Sequence, residues 1–100
     1  AKVIDYIEAH FETPLLTSEL AAIAAMSVAQ FGRSFKAATG FSPHQYVTTR
    51  RVEHAKRMLR SNELTITQIA YCCGFSSAAH FATVFGRYVG ATPSVYRAAV

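Results

Sequence analysis

Tryptophan is absent from this 100-residue sequence, and cysteine, proline and glycine are scarce, with two, three and five copies. So few glycines and prolines exclude collagen-like and low-complexity chains. The two cysteines, Cys72 and Cys73, are adjacent, and neighbouring cysteines seldom bridge or supply the spaced pairs of a zinc site. They read as free thiols in a reducing compartment, which places the protein in the cytoplasm. His10, His44 and His54 have no acids or cysteines at ligand spacing, so no metal is expected. No nucleophile–base pair, glycine-rich phosphate loop or carboxylate cluster is present, which excludes an enzyme and leaves no cofactor to bind. No apolar run approaches the roughly 18 residues of a membrane span, so no membrane partner is expected. The chain starts at Ala1 without an initiator methionine and without a basic-then-apolar leader, which reads as part of a longer protein that carries no signal peptide here.

Charge is sparse as well, at 16% of residues, but unevenly placed. Residues 1–32 hold one base (Lys2) against four acids (Asp5, Glu8, Glu12, Glu19), a net −3. Residues 33–100 hold nine bases against two acids (Glu53, Glu63), a net +7. That asymmetry fits an anionic partner touching mainly the later two-thirds, and it equally fits a solvated helix face.

What the sequence does have is internal repetition. Phe31-x3-Phe35-x4-Gly40-x2-Pro43-x2-Tyr46 recurs 50 residues later as Phe81-x3-Phe85-x4-Gly90-x2-Pro93-x2-Tyr96. Ser27 matches Ser77 in the same register, and Leu20-Ala21 matches Ile69-Ala70 at an offset of 49. Uncommon residue types recurring in one register mark two copies of one supersecondary unit.

Each copy reads as helix, short turn, helix. In the first, Thr17 or Ser18 opens a helix with Glu19 placed for the dipole and Leu20, Ile23 and Ala24 as the apolar stripe. Ser27 and Gln30 have capping-box spacing before the next helix, where Phe31 and Phe35 share the buried face and Gly40 is the stop. In the second copy Thr65 and Gln68 have that spacing, Ile66, Ile69, Ala70 and Cys73 form the stripe, and Gly74 permits the turn. Ser76 or Ser77 then opens a helix that carries Phe81 and Phe85 and stops near Gly90. Between the copies Ser42-Pro43 starts a long helix, with proline at the first helical position, that turns Tyr46, Val47, Ala55, Met58 and Leu59 inward. A helix over about residues 2–11, with Val3, Ile4 and Ile7 inside, and a short one after Pro93 complete the chain. Strand-type alternation is missing. The expected fold is all-α with about seven helices: a helix-turn-helix unit over about residues 1–41, a connecting helix over 42–62 and a second unit over 63–100.

Two short helices joined by a tight turn can set the second helix in the major groove while the first braces it. Successive major-groove faces on one side of DNA lie about 34 Å apart, and a connecting helix of about 19 residues spans roughly 28 Å. One such unit is a weak signal because unrelated bundles contain it; two in register, with bases around them, are a strong one.

The residues then match a family. Leu20-Ala21, Ser27, Phe31, Arg33 and Phe35-Lys36, followed by Gly40, Ser42-Pro43, Tyr46, Arg51, Ala55 and Leu59, resemble the first half of the AraC/XylS DNA-binding domain. Ile66, Ile69-Ala70, Gly74-Phe75, Phe81, Phe85, Gly90, Thr92-Pro93 and Tyr96-Arg97 are similar to its second half, so the resemblance covers nearly the whole chain. It implies a bacterial transcription regulator, activator or repressor, with RNA polymerase as a further partner, that binds double-stranded DNA through recognition helices at about 27–39 and 77–89 in adjacent major grooves. It implies a monomer as an isolated domain, with any dimer formed through a separate N-terminal domain. The matching DNA-facing positions are Val28, Ala29, Gln30, Gly32 and Arg33, with Lys36 near phosphate, and then Ser77, Ala78, Ala79, His80, Ala82 and Thr83.

Chemically, Arg33 can grip guanine bidentately or take a phosphate or a surface acid. Gln30 can read adenine or serve as a cap, and His80 is a DNA contact or a plain exposed residue. The chain departs from the family pattern where Thr83 stands in place of arginine and Gly86 in place of lysine. Ala78, Ala79 and Ala82 offer only apolar contact, for example with thymine methyls, so the second half-site is read weakly or by shape. Gly32 weakens its helix by roughly 1 kcal/mol relative to alanine, and a close approach to the bases would account for it. The phenylalanines, at helical spacing, are core rather than base-stacking residues. Arg50, Arg51, Lys56, Arg57 and Arg60 are phosphate contacts, internal pairs or solvated charges. The alternative to a DNA-binding domain is a helical protein-interaction or RNA-binding domain.

Overall fold

The computed structural model describes residues 2–100, and among them are seven helices and no strand. The helices are α1 (Lys2–His10), α2 (Thr17–Ile23), α3 (Val28–Thr39), α4 (Pro43–Leu59), α5 (Ile66–Cys72), α6 (Ala78–Val89) and α7 (Pro93–Ala99). The chain divides into two compact units, one ending at Arg50 and the next beginning at Arg51. The division falls inside α4, which is therefore more than a spacer: its first half completes one unit and its second half founds the other.

In the first unit Val3 and Ile7 of α1, Leu20 and Ala21 of α2, Phe31 and Phe35 of α3 and Val47 of α4 form one core. Phe31 and Phe35 sit one turn apart with ring centroids at 5.4 Å, and Phe35 meets Tyr46 edge-on at 5.3 Å. Glu8 on α1 pairs with Arg50 on α4 at 2.5 Å. The second unit repeats the plan. Val52, Ala55 and Leu59 of α4 pack with Ile69, Ala70, Cys73, Phe75, Phe81, Val84 and Phe85. Phe81 and Phe85 lie 5.5 Å apart, and Phe85 meets Tyr96 edge-on at 5.4 Å. The repeat read in the sequence is thus a repeat of aromatic ladders.

Local chemistry sets the helix ends. Ser77 and Thr92 each accept a hydrogen bond from the backbone three residues on, at 3.0 and 3.2 Å. Thr65 and Gln68 form the full reciprocal capping box, and Ser42 with Gln45 forms a second one at the start of α4. At α2 the expected cap differs. The helix begins at Thr17, but extended Leu16 holds the cap position and makes no side-chain bond. Burial of Leu20 and Ala21 sets that register, and the hydroxyls of Thr17 and Ser18 fall inside the helix, where they cannot cap it. Gly40 and Gly90, at φ 83 and 85, close α3 and α6 in the left-handed conformation that glycine tolerates without strain.

Candidate nucleic-acid interface

With Phe31 and Phe35 buried, the 3.6-residue period turns Ala29, Gln30, Arg33 and Lys36 to the opposite face of α3, and all four are exposed. Arg33 lies at the centre of that face. Val28, at the first turn, is 51% exposed, and Gly32 flanks the face partly buried. A Cβ at Gly32 would meet nothing within 4 Å, so the fold itself does not require glycine there.

The same geometry holds on α6. With Phe81, Val84 and Phe85 buried, Ala79, His80 and Thr83 are exposed, and Ala78, Ala82 and the cap residue Ser77 are partly buried. Ala29, Gln30, Arg33 and Lys36 thus share one face of α3, and Ala79, His80 and Thr83 the matching face of α6, with the other candidates at the flanks or the helix start. Gly86 stands at the position of Lys36, also with open space around it. Arg87, outside the motif positions, is exposed on the last turn of α6, one turn beyond Thr83. Its signal in the sequence is the i+4 spacing from Thr83, and the first copy has no cation at the matching position, where Ala37 stands.

The structure sorts the cations. Arg50 pairs with Glu8, Lys56 with Glu53 at 3.5 Å and Arg57 with His54, and Arg60 reaches the Tyr96 hydroxyl at 3.5 Å. Exposed pairs of this kind contribute at most about 1 kcal/mol to stability; the acids offset the charge of Arg50 and Lys56, whereas Arg57 and Arg60 are held by neutral groups. Arg97 donates to the Leu59 and Ser61 carbonyls at 3.1 and 2.9 Å and so caps the end of α4. Arg51 is partly buried near Cys73, and burial lowers its guanidinium pKa. Lys2, Arg33, Lys36 and Arg87 have no partner among the described residues. Three of these four lie on α3 or α6.

Gln30 is free as well. Its backbone N–H donates to Ser27 Oγ at 3.2 Å, but its side chain does not return the bond, so only half of the expected capping box forms. The cysteines behave as packing and surface residues. Cys73 is fully buried, and burial, then the neighbouring Cys72, pushes its thiol up to about 12. Cys72 is exposed. Among the described residues no group of three potential ligands could hold a metal ion, and no helix is long and apolar enough to cross a membrane.

Comparison with known proteins follows the same lines. The helix-turn-helix domain family matches residues 20–99. The chain is 36% identical, over 93% of its length, to the "Probable transcriptional regulator LumQ" of Photobacterium leiognathi, and it spans 38% of that protein. Among solved structures it superposes on the DNA-binding domain of the global transcriptional factor AdpA, determined in complex with a target DNA, with a TM-score of 0.93 and 35% identity. That match covers 98% of this chain and 88% of the other. An AraC-type regulator from Chromobacterium violaceum gives a TM-score of 0.88 at 33% identity, covering 96% of this chain and 86% of the other. Two duplicated helical units, each with an outward second helix, and a family match over most of the sequence agree: the chain belongs to the AraC-type helix-turn-helix family, the DNA-binding domains of transcription regulators.

Proposed function

We propose that this chain binds duplex DNA sequence-specifically, with α3 and α6 as recognition helices in adjacent major grooves of one asymmetric site. The observation that carries the reading is the distribution of uncommitted charge. Most cations are used inside the fold, whereas Arg33, Lys36 and Arg87 remain available on the outward faces of the second helix of each unit. The likeness to AdpA's domain, solved on its target DNA, supports it. Arg33 and the free Gln30 side chain read base edges, Lys36 and Arg87 contact phosphate, and the Ser27 and Ser77 hydroxyls approach the backbone at the helix starts. Val28, Ala29 and Gly32 line the α3 contact; Ala78, Ala79, His80, Ala82 and Thr83 line that of α6.

The activity is binding rather than catalysis. The domain acts as a monomer in the cytoplasm as part of a transcription regulator, with RNA polymerase as its protein partner at the promoter. Selection of bound sequences from random duplex DNA is the direct test. The expected result is one asymmetric consensus with two half-sites about one helical turn apart. Preference for single strands or RNA, or no enrichment at all, would overturn the reading.

A further inference from the structure

Thr83 occupies on α6 the place that Arg33 holds on α3, and its hydroxyl donates to the Ala79 carbonyl at 3.1 Å. The hydroxyl hydrogen is spent inside the helix, which leaves Thr83 a methyl group and lone pairs for an outside partner. Ala79 is exposed, Ala78 and Ala82 flank it partly buried, and Gly86 adds no side chain. Two other polar side chains share the face: His80, whose ring is 5.9 Å from that of Phe75, and Arg87, one turn beyond Thr83 and assigned above to phosphate. From Ala78 to Gly86 the strip is therefore a row of methyl groups with one imidazole at its edge. On α3 the corresponding strip carries the free donors of Gln30, Arg33 and Lys36.

Major-groove base edges display hydrogen-bonding groups and one apolar group, the C5 methyl of thymine. A strip with so few donors leaves the acceptors of guanine desolvated and unpaired, which is unfavourable. Against a thymine methyl it buries apolar surface on both sides. We propose that α6 selects its half-site through thymine methyl groups, read by Ala79, Ala82 and Thr83 as apolar contacts. This rests on α6 being a recognition helix, and it makes the two half-sites chemically different: hydrogen-bonded at α3, methyl-read at α6.

The test removes single methyl groups from the DNA. Once a bound duplex is selected, each thymine of the α6 half-site is replaced by deoxyuridine, which differs only by the C5 methyl. Affinity is expected to fall about fourfold at one or more positions, the worth of one buried methyl group. At those positions 5-methylcytosine should bind better than cytosine. Thr83→Val, which keeps the branched shape and replaces the hydroxyl by a methyl, should bind the thymine site at least as well as the parent. An α6 half-site without thymine, unchanged affinity for every deoxyuridine duplex, or loss of half-site preference in Thr83→Val would overturn the inference while leaving specific DNA binding intact. Failure to bind any unmodified duplex would overturn the underlying reading as well, and it would be visible before any base is changed.

Discussion

At Arg33 and Thr83 two copies of one unit carry different chemistry on the same scaffold. A bidentate arginine–guanine pair discriminates by roughly 1–3 kcal/mol, so Arg33→Ala should cost about that much and relax base preference in one half-site. Thr83→Ala removes a single methyl and a hydroxyl already bonded to Ala79, so it should cost less, under about 1 kcal/mol. Titrating both variants against single-base site variants decides, and equal losses of discrimination would contradict the asymmetry. Cys73 offers a test of the core. Its thiol ionises at about 12 in the fold against an ordinary value of 9.0, so the fold holds the neutral form. The stability this gives is complete below pH 9 and is lost as pH rises from there toward 12. Under reducing conditions, urea unfolding should lose stability with pH more steeply in the parent than in Cys73→Ala, by up to about 1.4 kcal/mol per pH unit over that window. Parallel pH profiles would show that burial does not govern this thiol. Cys72→Ser, at an exposed position, should leave DNA binding intact in the same titrations.

The turns show how one element is built from unequal residues. Gly74 has φ 90 in the second turn, and Ala25 holds the matching place in the first at φ 56. Both turns close with the same bonds: Ala25 N to Ala22 O and Met26 N to Ala21 O, each 3.0 Å, then Gly74 N to Tyr71 O at 3.2 Å and Phe75 N to Ala70 O at 3.0 Å. An alanine forced into the left-handed region is strained by roughly 1–2 kcal/mol, partly offset by glycine's larger entropy loss on folding. Ala25→Gly is therefore expected to stabilise the protein by up to about 1 kcal/mol, read as a higher thermal midpoint, and a lower midpoint would contradict the strain. Gly32 gives the opposite trade. Open space surrounds it in mid-helix, so Gly32→Ala should add about 0.5–1 kcal/mol of stability. If α3 approaches the bases closely, the same change should weaken DNA binding, and calorimetry with binding titrations on one variant separates the two effects.

For the molecule as a whole, charge commitment matters more than net charge. The chain carries +4, but only Lys2, Arg33, Lys36 and Arg87 lack partners among the described residues. Phosphate contacts by Lys36 and Arg87 alone predict a fall of log affinity with log salt of about −1.8, steeper if the paired arginines of α4 exchange partners for phosphate. Lys36→Ala should reduce the slope by about one unit and weaken all sequences alike. A flat salt response would remove the electrostatic basis of the reading. Both duplicated units lie in one chain, so sedimentation of the complex should show one protein per site; a minimal specific complex of two would contradict this.

What the sequence determined by itself is local and periodic. Helix number, the Phe31–Phe35 and Phe81–Phe85 faces, the serine and threonine caps and the glycine stops depend on residues within a few positions of one another, and they are legible as spacing. The outward strips on α3 and α6 follow from the same period. What only the tertiary structure decided depends on residues far apart in the chain. Glu8 takes Arg50 across 42 positions, and Arg97 reaches the carbonyls of Leu59 and Ser61 across 38 and 36. Packing sets the start of α2 without a side-chain cap, and it divides α4 between two cores. Which cations stay free is therefore invisible in a count of charges, because an ion pair or a carbonyl cap forms only where the fold brings two distant groups within reach.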